Sequence, residues 1–420
     1  MNRRRVRFRH SLVAVPALYI VGAVLLGVLV PELDSARDAA PALGPGIGTA
    51  RDILGATAAG MIAFTGFVLA GVLVVVQFAA GQYSPRLVLW FRRDSLTKHA
   101  IGWFLASFLF ALVALRKLEG ERGVFSPDIT VTVALALLVG ACLLFLALLQ
   151  RVTDRMRPRI LFQTVARDGM RAAGEAYPSM LGQQAPGDRS WESADPQQVL
   201  LHGRPGVVTS FDRSALVAEA ERAGAVIELV PGVGEFVGTR AVLLRVHGGP
   251  IEDAAALAAL VYVDDERTIE QDPAFAMRIV VDTAIRALSP AVNDPTTAVH
   301  ALDVLEELVR ELSGHDLDGS FARDDGGQVR VVWRSPNWDD LLDLAFEEIR
   351  EYGAGSIQIC RRLRAVLEDL LASTPHVRHA AIDEHLRRLD ESLRRAFPEG
   401  SPERETALVA DRTGLGLGRR

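Results

Sequence analysis

The sequence predicts a multi-pass α-helical membrane protein with four transmembrane helices, followed by a cytoplasmic α+β and mainly helical domain. Three observations lead to this fold class. Hydrophobic residues make up 49% of the 420 residues while charged residues still reach 23%, and the mean hydropathy is positive. The apolar residues concentrate in four long runs before residue 150, and basic residues cluster on alternate sides of those runs. Such a composition is typical of a membrane part joined to a polar part.

The four apolar runs cover about residues 11–30, 53–80, 100–115 and 129–149. Since about 20 apolar residues in a helix cross a bilayer core, three of these runs are long enough to span it. The third run is shorter, and we interpret it as a span because three spans would conflict with the charge pattern. The first run is too long for a signal peptide, whose cleavage would also leave an odd number of spans.

Basic residues set the orientation of the spans. Five precede the first span, four lie between the second and third, and four follow the fourth, whereas the two outer loops hold two and three. Both chain termini are therefore expected inside, with everything after residue 150 on the cytoplasmic side of a bacterial inner membrane. The two cysteines, Cys142 and Cys360, lie in dissimilar surroundings and are expected to remain free thiols.

The second span contains small residues spaced three or four apart, which are Gly55, Ala59, Ala63, Gly66 and Ala70. Such spacing lets helices approach closely, and packing within the four-helix bundle is the simpler interpretation. The alternative is an oligomer seam or the wall of an apolar pore, and we expect self-association through this span. At its inner end, Gln77, Ser84 and Arg86 are predicted at the interface with the lipid bilayer.

Composition and periodicity divide the chain into five segments. These are the transmembrane domain at 1–150, a helical connector and exposed linker at 151–205, a small α+β module at 206–250, a helical domain at 251–397 and a disordered tail at 398–420. The module is inferred from the strand-like stretches "GVVTSF", "AVIELV" and "FVGTRAVLLRV", with a helix capped by Asp212. Its turn "PGVGE" lacks phosphate-loop spacing and predicts a tight hairpin. One further strand-like stretch, "QVRVVW", interrupts the helical domain.

A corner between two predicted helices, "RALSPAVNDPTT", is the best candidate site. Asp272-Pro273 and Asp294-Pro295 each predict a helix N-cap followed by proline at the first helical position, which explains much of the pattern. The remaining polar groups exceed what capping needs, and a helix start offers N–H groups to an anion or polar ligand. The candidate ligand or interface residues are Arg267, Gln271, Asp272, Arg278, Asp282, Arg286, Ser289, Asn293, Asp294 and Thr297. Arg267, Thr268 and Gln271 lie at the opposite end of that helix, more than two turns from the corner, and need a bend or a neighbouring chain to join it.

The stretch "ERTIEQDPAFAMRIVVDTAIRALSPAVNDPTTAVHALDVL" closely resembles the central motif of the DUF2254 family, bacterial predicted membrane proteins with a domain of unknown function. The shared positions are Arg267, Thr268, Gln271, Asp272, Phe275, Arg278, Val281, Asp282, Ala284, Arg286, Ala287, Leu288, Ser289, Pro290, Asn293, Asp294, Pro295, Thr297 and Ala298. "QYSPR" and the stretch ending "GEFV" also match, although the glycine spacing after Val237 departs from the family pattern. The resemblance covers most of residues 10–370 and implies the topology but no activity.

Several classes of function find no support in the sequence. Motifs for a catalytic triad, a phosphate-binding loop or a zinc finger do not occur, so neither an enzyme nor a cofactor is predicted. The net charge of −6 argues against nucleic-acid binding. His376, His379 and Asp383 share one helix face, but a solvated surface explains them better than a metal site. No span carries a charged residue at its centre, which argues against a coupled transporter within one protomer.

Two functions therefore stay open. The first is a homo-oligomeric channel or transport-related protein that its cytoplasmic domain gates, and the small-residue seam and charge-free spans favour it. The second is a membrane-anchored sensor or scaffold that binds a small ligand or a protein partner at the corner. The sequence inclines to the first and names neither solute, ligand nor stimulus.

Overall fold

The computed structural model of the chain describes residues 13–36, 46–82, 95–120, 127–155, 158–182, 192, 195–317 and 320–416. They belong to two compact units, Met1–Arg157 and Pro158–Arg420, which we call the membrane unit and the C-terminal unit. Ser84 and Arg86, two of the predicted interface residues, lie outside the described residues.

The membrane unit contains four long helices, α1 (Ala14–Ser35), α2 (Ile47–Gln82), α3 (Ser95–Gly120) and α4 (Asp128–Arg155). Each is long and apolar enough to cross a membrane, as predicted. The short third run lies within a helix of 26 residues, about 39 Å at 1.5 Å per residue, because polar residues extend it at both ends. Helix α3 contacts the other three helices, and its Phe104 and Phe110 are fully buried.

Asp34, near the end of α1, binds the beginning of α4. Its side chain is nearly fully buried and accepts hydrogen bonds from Ile129 N (3.1 Å), Thr130 N (2.8 Å) and Thr130 Oγ1 (2.6 Å). The first N–H groups of a helix have no partner within it, so Asp34 caps α4 from another helix. An ion pair of 2.8 Å between Glu32 and Lys117 joins α1 to α3 nearby. No pattern in the neighbouring sequence predicts this cap.

The C-terminal unit begins with α5 (Pro158–Ala176) and an α+β region. Its elements are β1 (Gln197–Leu200), β2 (Gly206–Phe211), α6 (Arg213–Arg222), β3 (Val226–Leu229), β4 (Phe236–Val237), β5 (Val242–His247), α7 (Ala254–Ala258) and β6 (Val261–Asp264). The helical motif region then forms α8 (Pro273–Ala287) and α9 (Pro295–Ser313), followed by β7 (Ser320–Arg323) and β8 (Val329–Trp333). The remaining helices are α10 (Trp338–Leu342), a π-helical turn (Asp343–Glu347), α11 (Glu348–Gly353), α12 (Ile357–Ser373), a 3₁₀ turn (His376–Arg378), α13 (His379–Ala396) and α14 (Pro402–Ala407).

The strands form two sheets that cross the predicted segment boundaries. The five-stranded sheet has the order β1-β5-β3-β8-β7 and the three-stranded sheet β4-β2-β6, and only β3 and β8 pair in parallel. The predicted module at 206–250 is therefore not self-contained, because β1 precedes it and β6, β7 and β8 follow it. The pairing of β3 with β8 joins residues about 100 apart, such as Ile227 and Val331, and local periodicity does not reveal it. Phe211 and Trp333 pack edge to face across the two sheets, with ring centroids 5.1 Å apart.

Two segments predicted as connector and tail belong to the helical core. Helix α5 contacts α8 and α9, and a Cβ on its Gly169 would lie 2.8 Å from the Ala276 side chain. The chain end is ordered to residue 416, because buried Arg361 donates from Nε to the Val409 carbonyl (3.1 Å) and from Nη1 to the Gly416 carbonyl (2.6 Å). The disorder predicted for 398–420 is thus wrong as far as residue 416. Glycine-rich composition suggested a loose tail, but hydrogen bonds from Arg361, Gln358 and Arg412 fix it to the helical core.

Candidate functional site

The predicted site residues separate into three groups along α8 and the corner after it. The first group precedes α8 and joins it to the three-stranded sheet. Gln271 pairs with the main chain of Phe211: its Oε1 accepts from Phe211 N (3.0 Å) and its Nε2 donates to Phe211 O (3.1 Å). Asp272 caps α8 as predicted, accepting from Phe275 N at 2.9 Å. Both side chains are therefore occupied by contacts within the chain.

Arg267 completes this first group. Its Nε donates to Asp272 Oδ2 at 2.5 Å, and its guanidinium lies 5.3 Å from the centre of the Phe275 ring. The same guanidinium packs directly on Gly234, which has a φ of +90° in the turn before β4. Burial raises the pKa of the Asp272 carboxyl, and the bond from Arg267 opposes that rise. The group joins the helical layer to the "PGVGE" turn. The tight hairpin predicted there does not form, because β3 and β4, on either side of the turn, lie in different sheets.

The second group lies on the polar face of α8. Arg278 donates from Nε to Asp282 Oδ1 (2.6 Å) and from both terminal nitrogens to the Glu348 carboxylate at the start of α11. This bidentate pair raises the pKa of Arg278 and lowers that of Glu348. Arg286 is half-buried one turn after Asp282, on the face that the sequence predicted for it. The Arg278–Glu348 ion pair therefore packs α11 against the polar face of α8.

The third group is the corner itself. Ser289 Oγ donates to the Arg286 carbonyl (2.7 Å), and the main-chain N–H of Asn293 donates to the Ser289 carbonyl (2.9 Å). Asn293 has a φ of +50°, a left-handed conformation that asparagine tolerates better than most residues. Asp294 caps α9, with Oδ1 accepting from Thr297 N (3.2 Å) and Oδ2 from Thr297 Oγ1 (2.6 Å). The polar groups that the sequence analysis counted as surplus therefore act as helix caps or stabilise the turn. The exception is the exposed side chain of Asn293.

The small residues of α2 do not pack inside the bundle, contrary to the simpler interpretation of the sequence. The side of α2 that faces α3 and α4 carries the buried residues Ala50, Leu54, Ala58, Met61, Thr65 and Val68. Ala59, Ala63, Gly66 and Ala70 are exposed and Gly55 is half-buried. The stripe therefore faces away from the other helices, because a different line of the helix occupies the bundle side. Gln77 is exposed too, about seven residues beyond the stripe.

A cluster that the sequence analysis missed lies where the π-helical turn meets α13. Ligand atoms of Asp343, Glu347 and His385 lie within 4.8 Å of one another, and His385 Nε2 is 3.3 Å from Asp343 Oδ1. Arg388 Nη1 lies 2.9 Å from Asp343 Oδ1, and buried Arg350 binds Glu347 at 2.6 Å. Two guanidinium groups already neutralise these carboxylates, so the cluster fits an ion-pair network better than a metal ion. Burial lowers the pKa of His385, and the Asp343 carboxylate opposes this.

The sequence analysis missed the cluster because His385 lies about 40 residues after Asp343 and Glu347. The i, i+4 pair Asp343 and Glu347 is ordinary on a helix surface, and only packing of α13 brings His385 against it. The side chains of His376, His379 and Asp383, which were predicted on one helix face, point toward a common centre less than those of the cluster do. His379 Nε2 donates to the Thr374 carbonyl (2.9 Å), and its ring packs 4.6 Å from that of His376.

Comparison with known proteins places this architecture in a family. The family model described as predicted membrane protein, DUF2254, matches residues 9–369. An uncharacterized protein of Mycobacterium bovis is 28% identical over 322 residues, and one of Mycobacterium tuberculosis is 27% identical over 320. Each match covers 73% of this chain and 61% of the relative, so the chain spans about three fifths of the length of these relatives. No solved structure gives a significant match. The chain belongs to the DUF2254 family of predicted membrane proteins.

Proposed function

We propose that the chain assembles into a homo-oligomeric channel or transport-related protein of the bacterial plasma membrane. In this assembly α2 of each copy faces a central path, and the C-terminal unit gates it from the cytoplasmic side. The observation that carries the proposal is the outward face of α2. One line of that face is rich in alanine, with a polar residue near each end.

That outward face follows one line of the helix. Its exposed residues recur every three or four positions, and they are Asp52, Ala56, Ala59, Ala63, Phe67, Ala70, Val74 and Gln77. Asp52 and Gln77 are 25 residues apart, about 37 Å of helix, which exceeds the thickness of a hydrocarbon core of about 30 Å. The two polar residues therefore lie near the two membrane surfaces, and the small residues lie between them.

The outward faces of α1 and α4 have a different composition, which supports a distinct role for α2. Many of their exposed residues are large and aliphatic, such as Leu18, Val21, Leu25, Leu29 and Leu33 in α1 and Leu135, Val139, Leu143, Leu146 and Leu149 in α4, and α2 exposes Ile62, Leu69 and Leu73 beside its line of alanines. Such faces suit contact with lipid tails. Small residues instead favour close helix–helix approach, which suits a surface between copies of the chain.

Phe67 gives the proposed path its narrowest point. Its side chain is 69% exposed, near the middle of the face, and lies between Ala63 and Ala70. A ring of such side chains between small residues is an apolar constriction of the kind that closes by losing water. Helix α5 follows α4 after only residues 156–157, so a movement of the C-terminal unit is transmitted to the span through the main chain.

The test is flux from liposomes that carry the purified full-length protein. Ala63→Leu fills the small-residue face, and Ala136→Leu makes the same change on the exposed face of α4 as a matched control. We expect the wild type and Ala136→Leu to pass ions or small solutes, and Ala63→Leu to pass at least tenfold less. Absence of flux from well-folded wild type over a range of voltage, tension and pH would overturn the proposal.

Cysteine crosslinking in native membranes tests the oligomer separately. Cys142 is exposed, so it is first replaced by serine, and Ala63→Cys is then oxidised beside Ala136→Cys. We expect covalent dimers from position 63 only. A monomer in native membranes, with no crosslink at position 63, would leave the proposed path without walls.

The alternative is a membrane-anchored sensor or scaffold, and the exposed tip of the corner favours it. Val292 is 43% exposed beside exposed Asn293, so an apolar and an amide group are presented together. Under this alternative, Val292→Ser abolishes the biological response of the full chain while its thermal stability stays unchanged. Full rescue of a deletion strain by Val292→Ser would exclude a role for the tip.

A further inference from the structure

We propose that the outward face of α5 binds the headgroups of anionic phospholipids at the inner surface of the membrane. The side chains that define this face are exposed and recur four positions apart, and they are Arg159, Gln163, Arg167 and Arg171. Three of the four carry a positive charge. Contact of this face with lipid holds the C-terminal unit at the membrane surface, and it does not depend on the proposed channel.

The opposite face of α5 anchors the helix in the protein. Phe162, Val165 and Ala173 are fully buried, and α5 contacts α8 and α9. Because this apolar face is already covered by protein, α5 cannot insert it among lipid tails as an isolated amphipathic helix does. The proposed contact with lipid therefore depends on charge alone.

The arginines of the outward face are not used within the fold. Among the described residues, Arg159 and Arg167 have no ion-pair partner. Arg171 lies 3.5 Å from Asp168 of the same helix, and the two side chains are 67% and 37% exposed. An ion pair this exposed contributes little to stability, so the face remains free to bind an anionic partner outside the chain.

The chain itself brings the start of this face to the membrane surface. Helix α4 has 28 residues and is about 42 Å long, so its ends extend past a hydrocarbon core of about 30 Å into the headgroups. It ends at Arg155, and only residues 156–157 separate it from α5. The four residues from Arg155 to Arg159 span at most about 14 Å, which keeps Arg159 near the headgroups.

The charge distribution along the chain favours an anionic lipid surface as the partner. Residues 151–176 contain six basic and three acidic residues, whereas residues 177–420 contain 26 basic and 41 acidic residues. An anionic surface therefore attracts the segment of α5 and repels the rest of the C-terminal unit. The acidic surface of a second copy also matches the charge of α5, but the position of α5 directly after a span favours lipid.

The test measures the proximity of α5 to the headgroups in full-length protein reconstituted in lipid nanodiscs. A fluorophore is attached to Gln163→Cys in a Cys142→Ser background, in which the remaining Cys360 is buried, and a nitroxide on the lipid headgroup quenches it. We expect at least twofold stronger quenching in discs that contain phosphatidylglycerol than in discs of phosphatidylcholine alone. High salt should remove this difference, because it screens exposed charges.

Charge variants test which arginines are responsible. Arg159→Gln/Arg167→Gln removes two exposed positive charges from α5 and should reduce the difference between the two lipids by at least half. The matched control is Arg394→Gln/Arg395→Gln, which removes two exposed arginines from α13 and should behave like the wild type. Equal melting temperatures of the variants confirm that the fold is unchanged.

Either of two results would overturn the inference. One is quenching that does not differ between the two lipids, or that differs equally in the wild type and in Arg159→Gln/Arg167→Gln. The other is oxidative crosslinking of Gln163→Cys between two chains that is the same in both lipids. That result would assign the face to a second copy of the chain.

Discussion

Substitution of Gly234 by alanine tests the contact that joins the "PGVGE" turn to the family motif. Gly234 has a φ of +90°, and a Cβ there would overlap the guanidinium of Arg267. Alanine therefore strains the turn and also displaces Arg267 from Asp272. Gly238 is the matched control, because a Cβ there meets nothing within 4 Å and its φ is not positive.

The expected loss has two parts. A left-handed conformation costs a residue with a Cβ about 1–2 kcal/mol. Loss of a charge-assisted hydrogen bond costs about 1.5–3 kcal/mol, and the lower end applies because Arg267 is 36% exposed and recovers hydration. We expect Gly234→Ala to destabilise this region by about 2–4 kcal/mol in total. Gly238→Ala should be neutral or slightly stabilising, since it only reduces the freedom of the unfolded chain.

Hydrogen exchange on the full-length protein measures this loss locally, without requiring the membrane unit to unfold. The reporters are the Gly234 N–H, bound to the Val208 carbonyl, and the Val208 N–H, bound to the Glu235 carbonyl. A loss of about 2–4 kcal/mol corresponds to roughly 30- to 700-fold faster exchange in Gly234→Ala.

A double substitution separates the two parts. In an Arg267→Ala background the overlap disappears, so Gly234→Ala should cost only the backbone term of about 1–2 kcal/mol. Equal exchange in Gly234→Ala and Gly238→Ala would refute the reasoning. If the stability losses of Gly234→Ala and Arg267→Ala add fully in the double variant, Arg267 does not contact Gly234 closely enough for the alanine to displace it.

Three further predictions concern other contacts. Asp34→Ala leaves the N–H of Thr130 buried and unpaired and should cost about 1–3 kcal/mol in thermal unfolding in detergent, whereas Asp34→Asn should retain part of this. Because Arg278 lowers the pKa of Glu348, their ion pair stabilises the fold fully above pH about 4.5 and less as the pH falls through the lowered pKa. Glu348→Gln should therefore melt lower than the wild type at pH 7, with a difference that shrinks as the pH falls below about 4.5, and a constant difference would contradict this. Asn293→Ala should cost about 1 kcal/mol in urea unfolding while Asn293→Gly is near neutral, and equal losses would rule out backbone strain at +50°.

Local patterns predicted the features that depend on neighbouring residues. Apolar runs of helical length predicted the four spans, and Asp-Pro pairs predicted the caps at Asp272 and Asp294. The stretch "QVRVVW" was predicted as a strand, but its parallel pairing with β3 was not. The sequence analysis grouped ten motif residues as candidate ligand or interface residues. The structure divides them into a sheet contact, an ion pair and a capped corner.

The sequence by itself determined the membrane class, the helix starts and the motif region, because these follow from periodicity and from the chemistry of a few consecutive residues. Only the tertiary structure decided which sheets form, which face of α2 turns outward and which distant groups meet. The cap from Asp34 to Thr130, the bonds from Arg361 to the chain end and the contact of His385 with Asp343 each join segments that are far apart in the sequence. Such contacts depend on how side chains fill space between elements, and the order of residues along one element does not contain that information.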